Sequence, residues 1–117
     1  MIGDGDRDGE ALQVLVELLA RRRALPLVWT LRGGPQPFGV LAAAVEASPS
    51  QLSQRLRELR EAGVLEVDEG GDYRLTTEGR RLQGQLEPLA GWAARWAALR
   101  PRQRLPRGAA TRGRGEP

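Results

Sequence analysis

Residues 48–66 read S-P-S-Q-L-S-Q-R-L-R-E-L-R-E-A-G-V-L-E, and both ends of a helix are written into that stretch. Ser48 suits the N-cap, because its hydroxyl accepts a hydrogen bond from a first-turn N–H that has no partner inside the helix. Pro49 follows at the first helical position, where a missing N–H is harmless, and Gln51 completes a Ser-x-x-Gln capping box. Gly63 stands where a helix commonly ends on a left-handed residue. Between these ends Leu52, Leu56 and Leu59 share one face, since side chains turn by about 100° per residue. Ser50, Gln54 and Arg57 then point outward, with Gln51 and Arg55 at opposite margins, so residues 49–62 offer a polar, reachable surface. Beyond the helix, Val64-Leu65-Glu66-Val67 and Tyr73-Arg74-Leu75-Thr76 read as two short strands around Glu69-Gly70-Gly71-Asp72, a hairpin signal.

Working upstream, Phe38, Leu41, Ala42 and Val45 make a short helix ending near Ala47, set off by the breaker Gly33-Gly34-Pro35. Pro26 starts another short helix, and Leu12, Leu15, Val16 and Leu19 recur at helical spacing between Glu10 and Arg23. Downstream of Thr77, the residues Leu82, Leu86, Leu89, Ala93 and Trp96 repeat as the seam of a helix that packs on another helix, and Trp92 and Leu99 widen the stripe. Pro88 lies inside this pattern and is expected to kink or split it, having no N–H and a ring that clashes with the preceding turn. Residues 1–9, rich in Gly and Asp, and 100–117, rich in Pro, Gly and Arg, are expected to be disordered, which leaves one folded domain over 10–99.

Composition excludes much chemistry. The 117 residues include no Cys and no His, which removes disulfides, thiol switches, the usual zinc sites and the commonest general base. No Gly-rich phosphate loop follows a strand, and Ser and Thr have no His to activate them, so neither an enzyme nor a bound cofactor is expected. Asp4-Gly5-Asp6-Arg7-Asp8-Gly9 imitates half of a calcium loop, but its twelfth position is Leu15 where a bidentate Glu is needed, and no metal site is expected. The longest apolar stretch, Ala24 to Leu31, is too short to span a bilayer and the acidic start does not resemble a signal peptide, so a cytoplasmic protein is expected. The formal charge of +3 is unevenly placed: residues 100–117 carry +5 and residues 1–99 carry −2.

The resulting fold class is mainly α with a small β-hairpin, the order of a winged helix-turn-helix with a long C-terminal dimerisation helix. Within it, residues 48–66 resemble the recognition helix and first wing strand of HxlR-type regulators. G-P-Q-P-F-G-V-L (34–41) is similar to their G-P-x-R-F-x-x-L turn, and Y-R-L-T-T-E-G-R-R-L (73–82) to their Y-x-L-T-x-x-G segment, the last being shared with MarR and PadR types. The resemblance covers residues 10–99. It implies a homodimer that binds DNA and is joined largely through its terminal helices. Some members sense oxidants or aldehydes through a Cys near the start of the first helix; that place falls near Glu10 here, so this switch is absent. Arg22-Arg23 replaces a common Lys-Trp pair, Trp92 falls on a Trp often found in the last helix, and the wing is trimmed and acidic.

The resemblance implies a sequence-specific transcriptional regulator with residues 49–62 in the major groove of double-stranded DNA. Amides there pair with adenine and guanidinium groups with guanine, which places Ser50, Gln51, Gln54 and Arg57 at base edges. Arg55, Arg60 and Arg74 are expected at phosphates. The other reading of the same face is solvated surface, with Arg57 paired to Glu61. The dimer interface is expected at Leu82, Leu86, Leu89, Trp92, Ala93, Trp96 and Leu99. Trp92 and Trp96 either pack that interface or line a pocket for a small aromatic effector at the dimer seam. Glu66, Asp68, Glu69 and Asp72 would repel phosphate, while the Arg tail either adds salt-sensitive nonspecific contacts or has no role. The competing function is a winged-helix protein-interaction module that has lost specific DNA binding.

Overall fold

The structure, a computed structural model, describes residues 4–100. Helices α1 (Asp4–Leu19), α2 (Ala24–Thr30), α3 (Phe38–Val45) and α4 (Pro49–Glu61) precede strands β1 (Leu65–Val67) and β2 (Tyr73–Leu75), and α5 (Thr77–Leu99) follows them, with a 3-10 turn at Leu31–Gly33 after α2. The described residues divide into two compact units, the boundary falling between Gln83 and Gly84 inside α5.

In the first unit the core is aliphatic. Ala24, Leu27 and Val28 of α2, Leu31, Leu41 of α3, and Leu52, Leu56 and Leu59 of α4 are buried together with Val64, Leu65 and Leu75 at the foot of the hairpin. Complete burial of one such leucine stabilises by roughly 1.5–3 kcal/mol, so the three leucines of α4 are what hold that helix to the domain. Strands β1 and β2 pair antiparallel with Leu65 opposite Leu75 and Val67 opposite Tyr73. Gln36 adds a bridge outside the strands: its N–H donates to the Tyr73 carbonyl at 2.9 Å and its carbonyl accepts the Tyr73 N–H at 2.8 Å. Beside that bridge the Phe38 and Tyr73 rings lie 6.4 Å apart. The Gly34-to-Phe38 turn is thereby pinned to the hairpin.

The joint between hairpin and last helix rests on Thr76 and Gly79. The Thr76 hydroxyl donates to the Gly63 and Val64 carbonyls and accepts the Gly79 N–H at 2.9 Å, which makes Thr76 the N-cap of α5. A Cβ on Gly79 would run into the Val64 carbonyl oxygen, so only glycine permits this approach. These are the Thr and Gly of the Tyr-x-Leu-Thr-x-x-Gly segment.

Two sequence expectations are corrected and a third is narrowed. Helix α1 begins at Asp4, so residues 4–9 are helical where disorder was expected; carboxylates at Asp6 and Asp8 lie where the helix dipole favours negative charge. Residues 1–3 and the tail beyond Arg100 lie outside the described residues. Helix α1 stops at Leu19, short of Arg23, because Arg23 turns left-handed (φ 73°) and sends its guanidinium to the Val45 and Glu46 carbonyls at 3.0 and 2.8 Å. Those are end carbonyls of α3 that no helical N–H reaches. Of the kink or split expected at Pro88, the split does not occur, since helix α5 continues through that residue. Both Pro88 and Gly84 are exposed, so the Gly84 carbonyl that loses its donor is open to water.

Candidate nucleic-acid interface

The capping box of α4 forms as its letters require. The Gln51 N–H donates to the Ser48 hydroxyl at 3.2 Å and the Ser48 N–H donates to Gln51 Oε1 at 3.0 Å. At the other end Gly63 takes φ 79° and its N–H donates to the Arg60 carbonyl at 3.0 Å. A helix closed at both ends and glued by three leucines presents its remaining face rigidly.

On that face Ser50, Gln51, Gln54, Arg57 and Arg60 are all exposed. The side chains of Arg57 and Arg60 have no hydrogen-bond or ion-pair partner among the described residues, so the Arg57–Glu61 pair expected of a solvated face is not formed. Both guanidinium groups border a groove of about 570 Å³ between the C-terminal half of α4 and β1, floored by Leu65 and Val67. Gln51 is partly committed, its carbonyl oxygen being held by the cap, which leaves its amide N–H groups outward. Ser50 lies 3.5 Å from the Ser48 hydroxyl and Gln54 lies 3.4 Å from Glu58.

Arg55 is not a free cation. Its side chain is only 19% exposed; Nε donates to the Arg22 carbonyl at 2.8 Å and Nη1 to Glu58 at 2.6 Å. The expected phosphate contact is corrected to an internal strut that ties α4 to the junction between α1 and α2. Arg21 adds to it from the junction side, 3.5 Å from the other Glu58 oxygen. The Arg55 hydrogen bond is the main reason the Glu58 carboxyl is held below its ordinary pKa; burial opposes, and the Arg55 charge, Gln54 and Arg21 assist. Sequence reading missed Glu58 and Arg23. An Arg-Arg-Arg run facing a Glu two helices away was the available signal, and it has no local spacing rule.

The hairpin is acidic, though half of its acids have internal work. Asp68 Oδ1 accepts the Gly70 and Asp72 N–H groups, each at 2.9 Å, and so shapes the turn, with Gly71 at φ 92°. Glu66 pairs across the strands with Arg74 at 2.8 Å, which neutralises the cation expected at a phosphate. Glu69 is exposed and Asp72 half-buried.

Along α5, Leu89, Trp92, Trp96 and Leu99 are exposed and Ala93 is half-buried. Trp92 and Trp96 stack on each other, centroids 5.9 Å apart and planes within 8°. Leu82 is half-buried and Leu86 only 9% exposed, so of the residues expected at the interface Leu86 has the least surface left for a partner. Helix α1 also leaves Leu12 and Val16 exposed, one turn apart on one face, and Val14 exposed on the opposite side. Trp29 is half-buried, with the Arg32 guanidinium 4.6 Å over its ring. No group of three His, Cys, Asp or Glu that would hold a metal occurs among the described residues, and none of their helices is long and apolar enough to cross a membrane.

Comparison with curated proteins returns no match. Among solved structures, the chain is similar to quinone-bound YodB from B. subtilis at 26% identity, covering 73% of this chain and 96% of that one with a TM-score of 0.68. It is similar to the transcriptional repressor BigR from Xylella fastidiosa at 29% identity, covering 74% and 89% with a TM-score of 0.66. The homodimeric winged helix-turn-helix DNA-binding domain Mb0332 from Mycobacterium bovis, a possible ArsR-family regulator, matches at 26% identity over 78% and 91% with a TM-score of 0.57. The HxlR-like helix-turn-helix family matches residues 18–101, spanning α2 to α5, the capped α4 and the hairpin, and this chain belongs to it.

Proposed function

We propose that the protein is a sequence-specific DNA-binding transcriptional regulator that acts as a homodimer with residues 49–62 in the major groove. The observation that carries this reading is the outer face of α4: Gln54 is exposed, and Arg57 and Arg60 are exposed and without a partner among the described residues, on a helix held from behind. Ser50, Gln51, Gln54 and Arg57 read base edges and Arg60 meets phosphate. Arg55 and Arg74 are already engaged and contribute to placement of α4 and the wing. The hairpin, acidic at Glu69 and Asp72, stays clear of the phosphates. The working compartment of such a regulator is the cytoplasm.

The dimer interface is assigned to Leu82, Leu89, Trp92, Ala93, Trp96 and Leu99, with the exposed Leu12 and Val16 of α1 as further apolar surface seeking cover. Isolated, such faces would be an aggregation liability. The mutual stacking of Trp92 and Trp96 favours packing over an aromatic effector pocket, since each ring already covers one face of the other. Two helices in a dimer would meet successive major grooves about 34 Å apart. Fluorescence anisotropy against duplex from upstream of the protein's own gene tests the function, with tight, salt-sensitive binding expected. Equal affinity for scrambled duplex would overturn it. The charge of −2 over residues 1–99 favours one competitor, a protein-interaction module, and sequence-specific DNA binding would end that alternative.

A further inference from the structure

Glu58 gathers three donors from two elements. Arg55 Nη1 reaches its Oε1 at 2.6 Å, while Arg21 Nη1 at 3.5 Å and Gln54 Nε2 at 3.4 Å share Oε2. Its side chain is 20% exposed, so the carboxylate is held at the inner margin of α4 while Gln54, one turn earlier, is on the outer face. Two guanidinium groups keep this carboxyl ionised, its pKa held below the ordinary value. An ionised carboxylate only accepts hydrogen bonds. The Gln54 amide therefore has one stable orientation, with Nε2 toward Glu58 and Oε1 turned away.

That choice has a consequence for reading bases. With one N–H given to Glu58, the amide shows the groove a carbonyl oxygen and its remaining N–H in a fixed order. Adenine offers the matching pair on its major-groove edge, the N6 amino donor and the N7 acceptor, and a thymine–adenine pair shows them in the reverse order across the groove. We propose that Glu58 is a positioning residue that fixes the Gln54 amide and thereby selects adenine, in one strand orientation, at the base pair Gln54 reads. This rests on the assignment of residues 49–62 as the recognition helix.

The test begins by recovering a preferred duplex from a random pool with the full chain, and identifying the position at which Gln54→Ala abolishes discrimination. Anisotropy titrations then compare that duplex with one in which the single A·T pair is reversed to T·A. The wild-type chain is expected to prefer A·T by about tenfold, the scale of one good bidentate contact. Glu58→Gln, which both donates and accepts and so frees the amide to flip, is expected to bring the ratio below about threefold at that position alone. Discrimination at other positions stays, whatever uniform change the lost charge makes in affinity. A ratio that survives Glu58→Gln, or one that falls equally at every position, overturns the proposal; no preferred duplex from the wild-type chain overturns the recognition-helix assignment and the proposal with it. A second readout needs no DNA: the Gln54 side-chain ¹⁵N–¹H₂ signals of the free wild-type chain should move as acid protonates Glu58, and signals that do not move refute the contact.

Discussion

Replacing Gly79 with alanine tests the joint that hangs α5 on the hairpin, because competing effects predict opposite signs. In an ordinary helix interior, alanine is favoured over glycine by about 1 kcal/mol. At Gly79 the new Cβ would overlap the Val64 carbonyl oxygen and crowd the Leu75 Cβ. That carbonyl has no easy retreat, since it accepts the Thr76 N–H at 3.0 Å and the Thr76 hydroxyl at 3.2 Å. Losing both bonds costs about 2 kcal/mol, and overpacking adds about 1–3 kcal/mol. After subtracting the helix-propensity gain, Gly79→Ala is expected to destabilise by roughly 2–4 kcal/mol. Gly84 in the same helix supplies the control, as a Cβ there meets open space. Gly84→Ala should therefore stabilise by about 0.5–1 kcal/mol. Thermal unfolding followed by circular dichroism, at one fixed protein concentration, reads both. At roughly 4 °C per kcal/mol the two variants should move the midpoint in opposite directions, Gly79→Ala by about 8–16 °C downward. A Gly79→Ala chain that melts at or above wild type would refute the claim that this glycine exists for the close approach of two backbones.

The strut behind α4 separates from its outer face by a pair of variants. Arg55→Ala should lower urea-unfolding stability by about 1–2 kcal/mol, as a partly exposed, charge-assisted pair and a carbonyl contact are lost together, whereas Arg57→Ala should stay within about 0.5 kcal/mol of wild type and instead weaken DNA binding. Equal destabilisation by both would contradict the division of labour. Because the folded Glu58 carboxyl titrates below its ordinary value, its contribution is complete above the unfolded-state pKa and is lost as pH falls through the folded value. Wild type should therefore lose stability to acid faster than Glu58→Gln below about pH 4.5 in parallel melts; superimposable acid limbs would exclude the effect. Trp96→Ala should shift sedimentation velocity toward the monomer without lowering helix content, and an unchanged boundary would move the dimer interface elsewhere.

The chain's own letters determined α4 and the hairpin, because caps, leucine spacing and turn glycines act within a few residues of one another, and the Ser48–Gln51 box and left-handed Gly63 stand where those local rules put them. They determined equally that Ser50, Gln54 and Arg57 face out. Tertiary structure decided which cations are available. Arg55 and Arg57 are two residues apart in the same polar run, yet one is held at 2.8 Å by the Arg22 carbonyl and the other has no partner among the described residues. The Arg22 carbonyl is 33 residues away from Arg55 in the chain, and no periodicity reports a partner at that distance. The same holds for Arg23, whose guanidinium closes α3, and for Gly79, which reads as a weak spot in a helix until the Val64 carbonyl is beside it. Local hydrogen bonding and side-chain period are short-range physics and survive in sequence; the pairing of charges depends on which surfaces the folded core brings together.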